Sequence, residues 1–152
     1  MEKSSGLLAV FFLCTLFIQL HITYGQMSKF DNQIPEKIAG LFLLTDRSKK
    51  DGYVSLDEFI SITLDKDFNG DNSISRQEWI TVDAALGIFD SPTANRIFQA
   101  FDTDNNDVIT LPDVIATFST IDAAIRKDGK ISAFEYLIAY IRLITAVPSK
   151  KI

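Results

Sequence analysis

The chain is 152 residues long, 47% hydrophobic, and carries a net charge of −5 at pH 7 with a sequence pI near 4.8. That is enough to bury one sizeable core or two very small ones, and the acidic balance excludes the basic surface of a nucleic-acid-binding protein. The only cysteine, Cys14, and the only histidine, His21, both lie near the N-terminus.

Residues 1–25 read as a secretory signal peptide. Lys3 precedes the apolar run Leu7 to Leu20, and Thr23 and Gly25 place small residues before a cut. The run is shorter than the roughly 20 residues a membrane anchor needs. Cleavage after Gly25 leaves a secreted, extracellular protein of residues 26–152 with no membrane partner. Losing Glu2 and Lys3 together keeps its net charge at −5. With Cys14 and His21 removed, no disulfide, thiol nucleophile, imidazole base or Cys/His zinc site remains, so the expectation is a protein that is not an enzyme.

The spacing of Ile34, Ile38, Leu41, Phe42 and Leu44 predicts a first helix over Phe30 to Thr45, with Pro35 in its first turn. Arg47 to Glu58 follows, holding Asp51, Gly52, Val54, Ser55 and Glu58 in an order that recurs three times below. Its first half has Arg47 and Lys49 where oxygens would be needed, and a frame starting at Asp46 carries one residue too many. A helix over Leu56 to Asp65 starts on a capping box, Ser55 with Glu58.

Asp67 to Glu78 carries oxygen donors at places 1, 3, 5, 9 and 12, as Asp67, Asn69, Asp71, Ser75 and Glu78, with the Ser73 carbonyl at place 7 and Ile74 as the inward apolar residue. A hard dication wants six to eight oxygens at about 2.3–2.6 Å, which a chain coiling around it and presenting alternate side chains supplies. Asn72 stands where glycine is usual, and asparagine tolerates the left-handed turn best after glycine. A competing frame from Asp65 needs two inserted residues, so the frame from Asp67 is preferred. Trp79, Val82, Leu86 and Phe89 then predict an exit helix, Trp79 to Phe89, with an apolar stripe facing the core.

Ser91 and Pro92 read as the N-cap and first residue of the next helix, which carries Ile97, Phe98 and Phe101. Asp102 to Asp113 repeats the pattern: Asp102, Asp104, Asn106, the Val108 carbonyl, Thr110 and Asp113, with Ile109 inward. Asp107 replaces the glycine. Asp113 is one methylene shorter than glutamate, so one-oxygen ligation lowers calcium affinity and favours magnesium relatively at this loop. After a helix over Leu111 to Ile121, a last loop keeps Asp128, Gly129, Ile131, Ser132 and Glu135 but has Ala124 and Arg126 in place of the first donors, Asp122 fitting only with two inserted residues. Phe134 to Ala146 is an apolar closing helix, and residues 147–152 form a short tail.

Over most of residues 34–146 the chain resembles the EF-hand superfamily, with intact hands at 56–89 and 92–121 and degenerate ones at about 36–66 and 111–146. The resemblance implies an all-α fold of helix-loop-helix repeats in one domain, with two-stranded bridges between paired loops, and Ca²⁺ ligated by Asp67, Asn69, Asp71, Ser73, Ser75, Glu78, Asp102, Asp104, Asn106, Val108, Thr110 and Asp113. The closing acids, Glu58, Glu78, Asp113 and Glu135, leave by far the longest gap in the middle, so Ile74 is expected to bridge Ile109. The outer intervals hold one helix each, whose ends lie too far apart for strand pairing, and Val54 is expected to pair with Ile131.

The expected function is that of a secreted, non-enzymatic calcium-binding protein in which calcium stabilises the fold, with buffering or association with extracellular matrix or mineral as its use. The alternative is a calcium-dependent module that binds another protein through an exposed apolar groove. Such grooves are methionine-rich, and the cleaved chain retains Met27 alone.

Overall fold

The computed structural model describes residues 33–145. The expected signal segment, the start of the first helix at Phe30 and the C-terminal tail lie outside the described residues. Helix α1, Ile34–Thr45, buries Pro35, Ile38, Phe42 and Thr45. Leu44, expected on that stripe, faces solvent, because the 38–42–45 line leaves it on the opposite side of the helix. The Thr45 hydroxyl satisfies itself on the Leu41 carbonyl, 2.8 Å away, and lies 3.2 Å from the Tyr136 hydroxyl.

Strand β1, Tyr53–Ser55, leads into α2, Leu56–Leu64; β2, Ile74–Ser75, leads into α3, Arg76–Leu86. Both helices start on complete capping boxes, Ser55 with Glu58 and Ser75 with Glu78. The exit helix therefore begins three residues before Trp79. It also stops short of Phe89, because Gly87 turns left-handed at φ 63°. Leu86 is consequently exposed rather than core, and Ile88 and Phe89 enter the core from the turn. Helix α4 spans Ser91–Phe101, and its cap is Asp90, not Ser91: Asp90 Oδ1 accepts the Thr93 N–H at 2.9 Å. Strand β3, Val108–Ile109, α5, Leu111–Asp122, β4, Lys130–Ser132, and α6, Ala133–Thr145, complete the order.

The fold is mostly helical with two small antiparallel ribbons. In one, β2 and β3 pair Ile74 with Ile109; in the other, β1 and β4 pair Val54 with Ile131. All four side chains are fully buried. Helix α3 packs on α4, α1 on α6 and α2 on α5. A chain of aromatic rings joins these layers. Phe118 meets Phe59 at 5.6 Å, Phe59 stacks on Phe101 at 5.7 Å, Phe101 meets Tyr140 at 6.5 Å, and Tyr140 stacks on Tyr136 at 4.6 Å. Each such pair adds about 0.5–1.5 kcal/mol beyond area burial, so the two ribbons are anchored on one continuous core. Among the described residues no helix is long and apolar enough to cross a membrane.

Candidate metal centre

The four loops share one hydrogen-bonding plan. A leading aspartate reaches across the loop to a backbone N–H: Gly52 on Asp46 Oδ2 at 2.9 Å, Asn72 on Asp67 Oδ2 at 2.9 Å, Asp107 on Asp102 Oδ2 at 3.0 Å, and Gly129 on Asp122 Oδ1 at 3.1 Å. The residues that donate these N–H groups all have positive φ, including Asn72 at 65° and Asp107 at 71°. Such a turn costs a non-glycine residue little when it is Asn or Asp.

Asp46 and Asp122 therefore lead the first and fourth loops, with one and two extra residues accommodated, and Arg47 and Ala124 do not. Arg47 is swung outward, its guanidinium 2.9 Å from Asp65 Oδ2. That also places Asp65 outside the second loop, in favour of the frame from Asp67.

The closing acids are fixed just as regularly. One oxygen of each accepts both the N–H and the hydroxyl of the residue three before it, for example Ser75 on Glu78 at 2.8 and 2.7 Å and Thr110 on Asp113 at 2.9 and 2.7 Å. In the first three loops the second oxygen takes donors from the start of the loop, Ser48 and Lys49 on Glu58, Asn69 on Glu78 and Thr103 on Asp113, whereas Glu135 Oε1 in the fourth is buried without a partner. Burial alone would push the carboxyls of Glu58 and Asp113 up. The serine and threonine donors outweigh it, so Asp113 lies below its ordinary range and Glu58 falls to about 2. Both are anions at neutral pH, in the form a cation needs.

In the third loop the oxygens of Asp102, Asp104 and Asp113 lie within 4.8 Å of one another. Ligands at about 2.4 Å from one central ion are at most about 5 Å apart, so this set fits a single hard cation. Asp102 and Asp113 are buried beneath it while Asp104 faces solvent. Asn106 bonds Asp104 at 2.9 Å, its own Oδ1 accepts the Val108 N–H at 2.9 Å, and Thr110 holds Asp113. These are the residues the sequence singled out.

The second loop is laid out alike but is less drawn together. Asp67 Oδ1 accepts the Gly70 N–H at 2.8 Å, Asn69 accepts the Asp71 N–H at 2.9 Å, and exposed Asp71 turns onto Ser73 at 2.7 Å, which lowers its pKa. Among the described residues its acids do not converge as those of the third loop do.

Two features escaped the sequence reading. Arg76, beside the β2–β3 ribbon, pairs with Asp107 of the neighbouring loop and lies 4.6 Å above the Phe98 ring, tying the two inner loops together. The aspartate in the glycine place thus has a partner. Lys66, directly before Asp67, is buried and pairs with Asp83. Only the position of Arg76, two residues after Ile74, could have hinted at the first, since the ribbon carries it toward the third loop.

The chain matches no family model, no curated protein and no solved structure in the comparisons made.

Proposed function

We propose that this chain is an EF-hand protein that binds calcium through the loops 67–78 and 102–113, is secreted, and performs no catalysis, the ion serving to stabilise the fold. The observation that carries this reading is the gathering of Asp102, Asp104 and Asp113 into the space of one ion. Carboxylates held that close repel one another, by about 1 kcal/mol per pair at 4 Å even in bulk water, and a divalent ion reverses the sign of the interaction. At extracellular, millimolar calcium, sites of the 10⁻⁴–10⁻³ M class or tighter stay largely filled. A filled site stabilises; it does not report small changes in concentration. The acidic surface then serves calcium buffering or contact with calcium-rich matrix or mineral.

The rival reading, a module that opens an apolar groove on binding calcium, is disfavoured by the Lys66–Asp83 pair. It joins the two helices flanking the second loop, which opening would have to separate. Calorimetric titration of the purified protein with calcium and with magnesium, followed by dye binding, tests both. The proposal expects calcium uptake with a raised melting temperature and unchanged dye fluorescence. No heat and no thermal shift at millimolar calcium would refute it, and a calcium-dependent rise in dye fluorescence would favour the groove.

A further inference from the structure

Asn69, at the third place of the second loop, is the one asparagine in the chain that glycine follows. Asparagine is among the chemically labile residues, because the backbone nitrogen that follows it can attack the carbon of its side-chain amide. Asn69 and Gly70 are both exposed, so water reaches them. A Cβ on the following residue crowds the approach of that nitrogen. Gly70 carries none, and beyond its chain neighbours no atom lies within 4 Å of the place a Cβ would take.

The loop holds the reacting groups together. Asn69 Oδ1 accepts the Asp71 N–H at 2.9 Å, which folds the side chain back over the Asn69–Gly70 peptide. The same bond donates to the oxygen on which charge develops during attack. The Gly70 N–H is bonded to Asp67 Oδ1 at 2.8 Å, so the proton it loses as the new bond forms has an acceptor in place. The third loop repeats this plan around Asn106. Its Oδ1 accepts the Val108 N–H at 2.9 Å, and the next N–H, that of Asp107, is bonded to Asp102 at 3.0 Å. The two asparagines differ in the residue that supplies the nitrogen, glycine in one loop and aspartate in the other. Asp51–Gly52 and Asp128–Gly129 have the glycine, but a carboxylate, a poor electrophile, stands in place of the amide.

We propose that Asn69 is a self-modification site. Gly70 N bonds to Asn69 Cγ, the Cγ–Nδ2 bond breaks, and ammonia leaves with the Gly70 proton, which closes a cyclic imide. Water then opens the ring. Breaking the N–Cγ bond gives aspartate; breaking the bond to the Asn69 carbonyl carbon gives isoaspartate, whose main chain runs through Cγ. Water is the only co-reactant and nothing is oxidised or reduced. The isoaspartyl link adds a methylene to the backbone inside the loop and so spoils the spacing that ligation requires. On the reading of loop 67–78 as a calcium site, on which this last part rests, a bound ion draws Asn69 Oδ1 and Asp67 to itself and slows ring closure, whereas a modified loop no longer takes the ion.

The full chain is incubated at neutral pH with chelator or with millimolar calcium, while ammonia release and peptide mass mapping follow each asparagine. With chelator, Asn69 should convert at least about tenfold faster than Asn106, equivalent to about 1.4 kcal/mol of barrier, and isoaspartate should appear at position 69. Gly70 has φ 75°, close to the 71° that Asp107 adopts, so G70D fits the turn; it should suppress the reaction, and D107G should confer it on Asn106. Equal rates at Asn69 and Asn106 in the wild type, or undiminished conversion in G70D, overturn the proposal. Equal rates at Asn69 with and without calcium refute the calcium reading of this loop, while suppression in G70D still upholds the modification.

Discussion

The ammonium of Lys66 is held against Oδ1 of Asp83, 4.6 Å from the centre of the Trp79 ring, with both side chains almost wholly out of solvent. Lys66 follows α2 and Asp83 lies on α3, so one buried pair spans the two helices that flank the second loop. The adjoining cavity, about 20 Å³, also touches Tyr136 and Tyr140 and admits nothing larger than water. Burial pushes the Asp83 carboxyl up against the opposing pull of Lys66. Replacing one partner leaves the other charged, buried and alone. K66M should therefore lose about 3–5 kcal/mol, and K66M/D83L much less, because matched apolar residues carry no such penalty. Urea denaturation of the four members of the cycle measures both; equal losses in the single and double variants would contradict this account.

Calcium at about 100 times its dissociation constant should stabilise the fold by about 2.7 kcal/mol for each filled site. E78Q keeps the capping box, since glutamine serves at that place as glutamate does, but withdraws a negative ligand. Melting curves with calcium and with chelator should show a smaller calcium-induced shift in E78Q, with chelated proteins melting within a few degrees of each other.

Asp113 is two-oxygen capable but short. D113E adds the missing methylene while preserving the bond to Thr110, so the calcium-to-magnesium affinity ratio should rise by about tenfold, or about 1.4 kcal/mol. Competitive calorimetry reads the ratio. An unchanged ratio would show that the shorter side chain does not limit this loop.

Burial, opposed only by the Thr45 and Tyr140 hydroxyls, raises the Tyr136 phenol to about 12. The folded protein then holds a proton that the unfolded chain releases near pH 10. The stability tied to this group is present in full below pH 10 and is lost as pH rises toward 12. Absorbance titration should show the tyrosinate signals of Tyr136 and Tyr140 appearing only with unfolding; a reversible signal near pH 10 from all tyrosines would exclude this burial.

Thr93 holds Asp90 below the ordinary aspartate range, with Lys37 and Arg96 adding smaller pulls. Its stabilisation is complete above about pH 4 and is lost as pH falls through the lowered value. D90A should cost about 1 kcal/mol at neutral pH, and the gap from wild type should be smaller at an acidic pH below the ordinary aspartate range. Denaturation at the two pH values checks both the size and the direction.

Much of this architecture was written locally. Alternate oxygens from Asp67 to Glu78 and from Asp102 to Asp113, each ending in an acid with a hydroxyl three residues before it, define a coil and a helix start within a dozen residues, and the wide central gap leaves Ile74 free to reach Ile109. Helix edges were read less well, because Gly87 and Asp90 set them through single backbone angles and one side-chain bond that periodicity does not register. Helical spacing puts Leu44 and Leu86 on the apolar stripes, yet both are exposed, since a shift of one residue on a helix turns a side chain by about 100°.

Amino-acid order by itself determined which stretches coil, which residues carry oxygen into them and which strands meet, because these depend on spacing along a short piece of backbone. Only the folded arrangement decided that Asp46 and Asp122 lead the outer loops, that Arg47 turns away to Asp65, and that Lys66 and Asp83 bury their charges together. An inserted residue can be taken up in several ways, and a long side chain can point in several directions. Neighbours distant in sequence choose among these by supplying or withholding a partner for each charge.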